Sequence, residues 1–211
     1  MIRVRVKICG VMSPEIAAVA AEAGADAIGL VFAPSRRRVS IEHASAIVGA
    51  LPPFVAAVGV FVDSPADEVE AIARGLPLDG VQLHGDEPPE MCAWLQHQGI
   101  RVIKAVPVAD RVDEALLSRY RKASAVMLDT KVDGLAGGSG RSFDWEVARG
   151  TSGRFPIVLS GGLTPDNVGR ALDIVRPYGV DVSSGVETDG HKDPAKIRMF
   201  TERVRQWEWG Q

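Results

Sequence analysis

IVLSGGLTPDNVGRALDIVRPYGVDVSSGVE, residues 157–187, decides how the rest of the chain is read. Two short apolar runs, Ile157–Leu159 and Val180–Val182, have the composition of parallel strands buried on both faces. Each run ends in small residues: Ser160-Gly161-Gly162 after the first, Ser183-Ser184-Gly185 after the second. Between them lies one helical segment, opened by Thr164-Pro165 and closed before Gly179. The stretch is a strand–helix–strand unit whose strand ends carry loops that expose backbone. Glycine lets N–H groups approach an anion closely, and serine adds a hydroxyl. In eight-stranded α/β barrels a phosphate often sits on the loops after strands seven and eight. Gly161, Gly162, Ser183, Ser184 and Gly185 are therefore candidate phosphate-binding residues, with tight turns as the plainer reading of the same glycines.

Outward from this unit the same punctuation recurs: apolar run, small loop, amphipathic segment, glycine, apolar run. Eight strands are expected, at Arg3–Cys9, Ala27–Phe32, Val55–Phe61, Gly80–His84, Arg101–Val106, Ala125–Thr130, Ile157–Ser160 and Gly179–Ser183. Helix starts are expected where an oxygen-bearing cap precedes proline, at Ser13-Pro14, Ser64-Pro65, Thr164-Pro165 and Asp193-Pro194. Left-handed helix ends are expected at Gly24, Gly75, Gly99 and Gly179. Strand alternating with helix at this pitch means a parallel sheet. Eight repeats in 211 residues favour a closed (β/α)8 TIM barrel over an open sheet. No linker or low-complexity tract interrupts it, so residues 1–211 read as a single catalytic domain.

A net charge of −3 supplies no basic field, so nucleic acid is not an expected partner. The uncharged run Ala46–Val62 falls short of the roughly 20 residues of a membrane span, and Pro52-Pro53 splits it. Arg3 and Arg5 argue against a secretory leader. Two cysteines, Cys9 and Cys92, make no disulfide framework and suit a reducing, cytoplasmic setting.

Barrels carry their chemistry at the C-terminal ends of strands. Strand one offers Lys7 and Cys9, two residues apart and hence on one face, where an ammonium would favour the thiolate. Cys9 is thus either a usable base or a small buried side chain; Cys92, in a helical pattern, reads as core. Strand six ends in Asp129, whose partial burial would suit a general acid. Asp181, inside an apolar strand, needs a partner, with Lys7 a candidate, or a ligand group. Arg37, within Arg36-Arg37-Arg38, could grip a carboxylate in a two-pronged bond or belong to a solvated corner. Gln82 and His84 share a face at the end of strand four. The histidines 43, 84, 97 and 191 are too scattered for a metal site, so none is expected. The glycine-rich loop Lys131 to Ser142 suits a lid.

These residues stand in motifs that resemble the phosphoribosylanthranilate isomerase family of tryptophan biosynthesis, from Val6 to about Met199. The motifs are VKICG at 6–10, VGVFV at 58–62, VQLHG at 81–85, LDT at 128–130, GGSGRSFDW at 137–145, LSGGLTPDNV at 159–168 and VDVSSGVE at 180–187. The resemblance implies an Amadori rearrangement of N-(5-phosphoribosyl)anthranilate without metal or coenzyme. It puts the family's cysteine base on Cys9, its aspartate acid on Asp129 and its arginine on Arg37. Substrate contacts at Lys7, Gln82, His84 and Asp181 complete the expected site. Here Arg36 stands where the family commonly has proline, and Ser139 where it has threonine. The partner implied is a small phosphorylated molecule, met by a monomer or homodimer. Two other readings are open: a dual-substrate aminoaldose isomerase, which would use carboxylates for both acid and base, and a non-catalytic barrel that holds a phosphorylated metabolite.

Overall fold

The computed structural model describes residues 3–130 and 143–211, so the expected lid and Ser139 lie outside the described residues. Eight parallel strands close into a barrel in chain order: β1 (Arg5–Cys9), β2 (Ala27–Val31), β3 (Ala56–Phe61), β4 (Gly80–Leu83), β5 (Arg101–Val108), β6 (Ala125–Thr130), β7 (Ile157–Leu159) and β8 (Gly179–Val182). Closure is made by β1 on β8, with Lys7 opposite Asp181. Seven helices accompany them among the described residues: α1 (Pro14–Glu22), α2 (Ile41–Gly49), α3 (Ala66–Gly75), α4 (Pro89–His97), α5 (Glu114–Arg119), α6 (Val168–Val175) and α7 (Pro194–Trp209). No helix among them is long and apolar enough to cross a membrane.

Alternation along each strand divides the core in two. Outward-facing Ile8, Ile28, Leu30, Leu83, Leu128 and Ile157 pack under the helices. Inside the barrel, Ile103, Ala105, Ala125, Met127 and Val158 form an apolar plug in the lower half. Above this plug stand the buried polar side chains Lys7, Gln82, Asp129 and Asp181, and below it a cavity lined by Arg5, Asp26 and Arg101 opens at the N-terminal end.

The caps behave as their chemistry dictates, with exceptions. Ser13 accepts from the Ile16 N–H, and Asp193 from the Ala195 and Lys196 N–H groups. Gly24 and Gly99 take φ of +90° and +82°. By contrast, α3 begins after Pro65 with no side-chain cap. The helix expected from Thr164-Pro165 begins only at Val168, because Asn167 ties the preceding turn instead: its amide bonds the Thr164 N–H and the Gly162 carbonyl. The left-handed residue after α6 is Arg176 (φ +47°), and Gly179 already belongs to β8.

Candidate active site

The upper barrel holds one continuous chain of hydrogen bonds. Lys7 on β1 donates to Asp181 Oδ1 on β8 at 2.6 Å and to Gln82 Oε1 on β4 at 2.9 Å. Gln82 Nε2 lies 2.7 Å from His84 Nδ1, and His84 Nε2 lies 2.9 Å from Asp129 Oδ2 at the end of β6. The second Asp129 oxygen accepts the Thr130 N–H at 3.0 Å. Lys7, Gln82, Asp129 and Asp181 are all buried, and His84 is half-buried. The partner that Asp181 needs is Lys7.

Cys9 sits against this chain. Gly29 on β2 makes the room: a Cβ there would lie 2.8 Å from Cys9 Sγ and 3.0 Å from Lys7 Nζ. Burial pushes the Cys9 thiol up; Lys7 pulls it down, Asp181 pushes it up, Lys192 pulls it down, and burial prevails. Lys7 favours the thiolate as expected, and burial outweighs that pull. Lys7 itself is raised: burial works against its charge, and Asp181 with the thiol outweighs burial.

Among the three arginines, position separates Arg37 from its neighbours. Arg36 and Arg38 are exposed, whereas Arg37 lies across Gly10, whose added Cβ would come 2.4 Å from Arg37 Cδ. Arg37 donates from Nε and Nη2 to the two oxygens of Glu187, at 2.7 and 2.9 Å. Glu187 also accepts from Arg36 at 2.6 Å and Lys192 at 2.6 Å. Despite its burial, these cations hold its carboxyl down to about 2. Three cations on one carboxylate leave this side of the mouth positive.

Glu187 and Lys192 were missed from sequence. They come from a small hairpin, β9 (Glu187–Thr188) and β10 (His191–Lys192), turned by Asp189-Gly190 with φ of +50° and +82°. That Asp-Gly pair is the signal that could have found them. Lys192 also bonds the Ser183 carbonyl at 3.0 Å, and the Ser183 hydroxyl donates to the Cys9 carbonyl at 3.1 Å. The Ser183 side chain is therefore turned toward β1.

The two glycine–serine ends meet. Gly161 and Gly162 have φ of +87° and +65°. Ser184–Val186 form a 3-10 turn after β8, and a Cβ on Gly185 would fall 1.8 Å from the Leu163 carbonyl oxygen. All five candidate residues of these loops are half-buried, beside the mouth. Among the described residues no group of His, Cys, Asp or Glu is placed to hold a metal ion.

The chain matches known proteins along nearly its whole length. The model of the family described as N-(5'phosphoribosyl)anthranilate (PRA) isomerase matches residues 6–203. A relative from Moorella thermoacetica of that name is 50% identical, covering 97% of this chain and 91% of its own. The crystal structure of phosphoribosyl anthranilate isomerase from Thermotoga maritima superposes with a TM-score of 0.89 at 45% identity, covering 97% of this chain and 100% of that one. A phosphoribosyl anthranilate isomerase in complex with reduced 1-(o-carboxyphenylamino)-1-deoxyribulose 5-phosphate superposes with a TM-score of 0.86 at 44% identity, with the same coverage. The upper barrel described above is thus set in a closely shared frame, and the chain belongs to the N-(5'-phosphoribosyl)anthranilate isomerase family.

Proposed function

We propose that this chain, as one domain over residues 1–211, isomerises N-(5-phosphoribosyl)anthranilate to 1-(2-carboxyphenylamino)-1-deoxyribulose 5-phosphate, with Asp129 as general acid and Cys9 as general base. Asp129 gives its proton to the furanose ring oxygen as the ring C1–O bond breaks, leaving a protonated Schiff base. Cys9 thiolate removes the proton on C2, and the electron pair moves to form the enolamine. A proton then returns to C1 as the C2 hydroxyl loses its own, which gives the ketone. C2 is oxidised as C1 is reduced within the same molecule, so no redox coenzyme is called for.

The observation that carries this reading is that a thiol on β1 and a carboxyl on β6 share one buried polar layer beneath the mouth, linked through Lys7, Gln82 and His84. Arg37 Nη1 is the donor it does not spend on Glu187, and it is assigned to the substrate carboxylate. The N–H groups of Gly161, Gly162, Ser184 and Gly185, with Ser183 bracing them, are assigned to the phosphate. Asp181, whose Oδ2 has among the described residues a single 3.4 Å contact from Ser160, is assigned to the anthranilate amine. Lys7, Gln82 and His84 form the floor of the substrate site. The partner is this phosphorylated small molecule and not nucleic acid; the enzyme works in the cytoplasm as a monomer or homodimer. The phosphoribosyl anthranilate isomerase of Thermotoga maritima is described as dimeric.

Each acid or base step is typically worth about 10²–10⁴-fold. Cys9→Ala and Asp129→Asn should each abolish measurable turnover, followed as loss of substrate fluorescence, with unchanged circular dichroism. Full activity in either variant rejects that residue's role. Turnover of the histidine-pathway aminoaldose at a comparable rate would favour the dual-substrate reading.

A further inference from the structure

Lys7 is a donor-only ammonium, so the Gln82 atom facing it at 2.9 Å must be the amide oxygen. That fixes the other end of the amide. Gln82 presents N–H to His84 Nδ1 at 2.7 Å, and Nδ1 must accept. The ring proton is then on Nε2, aimed at Asp129 Oδ2. A protonated imidazole would set an Nδ1–H against the Gln82 N–H. Rotating the amide to relieve that clash would turn its N–H groups onto the Lys7 ammonium. Every link back to Asp181 is buried, so water offers little alternative.

We infer that Gln82 is a positioning residue: clamped by Lys7, it holds His84 as the neutral Nε2–H tautomer, so that His84 supports the Asp129 carboxylate without taking its proton. This rests on Asp129 being the acid. An imidazolium at His84 would keep Asp129 ionised before the ring opens. The opposite tautomer would present a lone pair that competes for the proton. A neutral Nε2–H offers no lone pair to that proton, favours the ionised form less than a full positive charge would, and stabilises the carboxylate left after proton transfer. Among the described residues, the charged groups near the ring are Asp129 on β6, Lys7 behind Gln82, Asp63 against Gly85, and the Lys104–Glu87 pair under Gly85, whose carbonyl accepts from Lys104 at 2.6 Å.

The test is 15N NMR of histidine-labelled enzyme, with the His84 signals assigned by their loss in His84→Asn. In the unaltered protein Nε2 should carry a proton and Nδ1 should be bare at neutral pH. Gln82→Glu keeps the acceptor for Lys7 but places a second acceptor against Nδ1, so both ring nitrogens should become protonated. Its kcat should fall on the order of 10²-fold, with KM held within about threefold. A proton on Nδ1 in the unaltered protein overturns the inference, and that spectrum decides the matter even if Gln82→Glu fails to fold. So does a folded Gln82→Glu with an unchanged ring or unchanged kcat. Full turnover by Asp129→Asn would instead remove the acid itself while leaving the tautomer readable, so the two failures are separable.

Discussion

Glu187 is a buried carboxyl that faces Arg36, Arg37 and Lys192, and it couples stability to pH. Its folded value of about 2 lies below the ordinary 4.5 because the cations outweigh burial. A depressed carboxyl stabilises the fold above its unfolded value, and that contribution drains away as pH falls through the folded one. The window is therefore about pH 4.5 down to about 2, and the full linkage is on the order of 3 kcal/mol. Urea midpoints taken across that window should fall less steeply in Glu187→Gln than in the parent; parallel slopes would exclude this carboxyl as the source. Cys9 obeys the opposite arithmetic. Burial raises the thiol, so activity that depends on thiolate rises toward alkaline pH, and Lys192 opposes the rise. Lys192→Met should move the base limb of kcat/KM to higher pH. An unmoved limb would mean that Lys192 does not act on Cys9.

At the scale of elements, β7 and β8 touch through only two register pairs, Val158 with Gly179 and Leu159 with Val180. Above that narrow seam the loops supply the rest of the contact, with Gly185 against the Leu163 carbonyl. Gly185→Ala would drive a Cβ into backbone that cannot yield as a side-chain tip can. Separation of the loops should weaken competitive inhibition by inorganic phosphate on the order of tenfold, at a stability cost of about 1–3 kcal/mol. Unchanged phosphate inhibition would place the anion elsewhere. The seam also shows what one-dimensional reading can reach. Strands were legible because apolar runs between glycine and proline admit few alternatives, and all eight lie within two residues of their expected bounds. Ends that depend on one side chain finding a remote or unexpected partner were not: Asn167 displaced Thr164-Pro165, and Arg176 took the left-handed place given to Gly179. The residues of the upper barrel were legible as types at strand ends. Their wiring was legible only in part: the Lys7–Asp181 pair was expected from the cost of a buried carboxylate, whereas Lys7 to Gln82 and His84 to Asp129, 75 and 45 positions apart, were not.

Closure of the whole molecule is secured far from the site, where the last helix ties down the first strand. Arg205 on α7 donates to the Val4 and Gly24 carbonyls, both at 2.8 Å, and to Asp26 at 3.0 Å. It also bonds Glu208, a buried carboxyl that accepts the Val4 N–H at 2.5 Å. Asp26 in turn accepts from Arg3, from Arg5 and from the Val6 N–H. Strand β1 thus reaches its place beside β8 with both its start and its flank held by α7. Arg205→Met keeps much of the stem and removes every one of these donors, leaving Glu208 buried without its cation. Breaking such a pair from one side typically costs about 3–5 kcal/mol, and partial exposure of Arg205 puts this case near the lower end. The chemistry stands at the opposite pole of the barrel, so kcat of the folded fraction should be unchanged while the urea midpoint falls. If the barrel closes as one unit, activity and circular dichroism should be lost together, with an unaltered denaturant slope. Loss of the helical signal before activity would show that α7 comes away from a barrel able to stay closed without it.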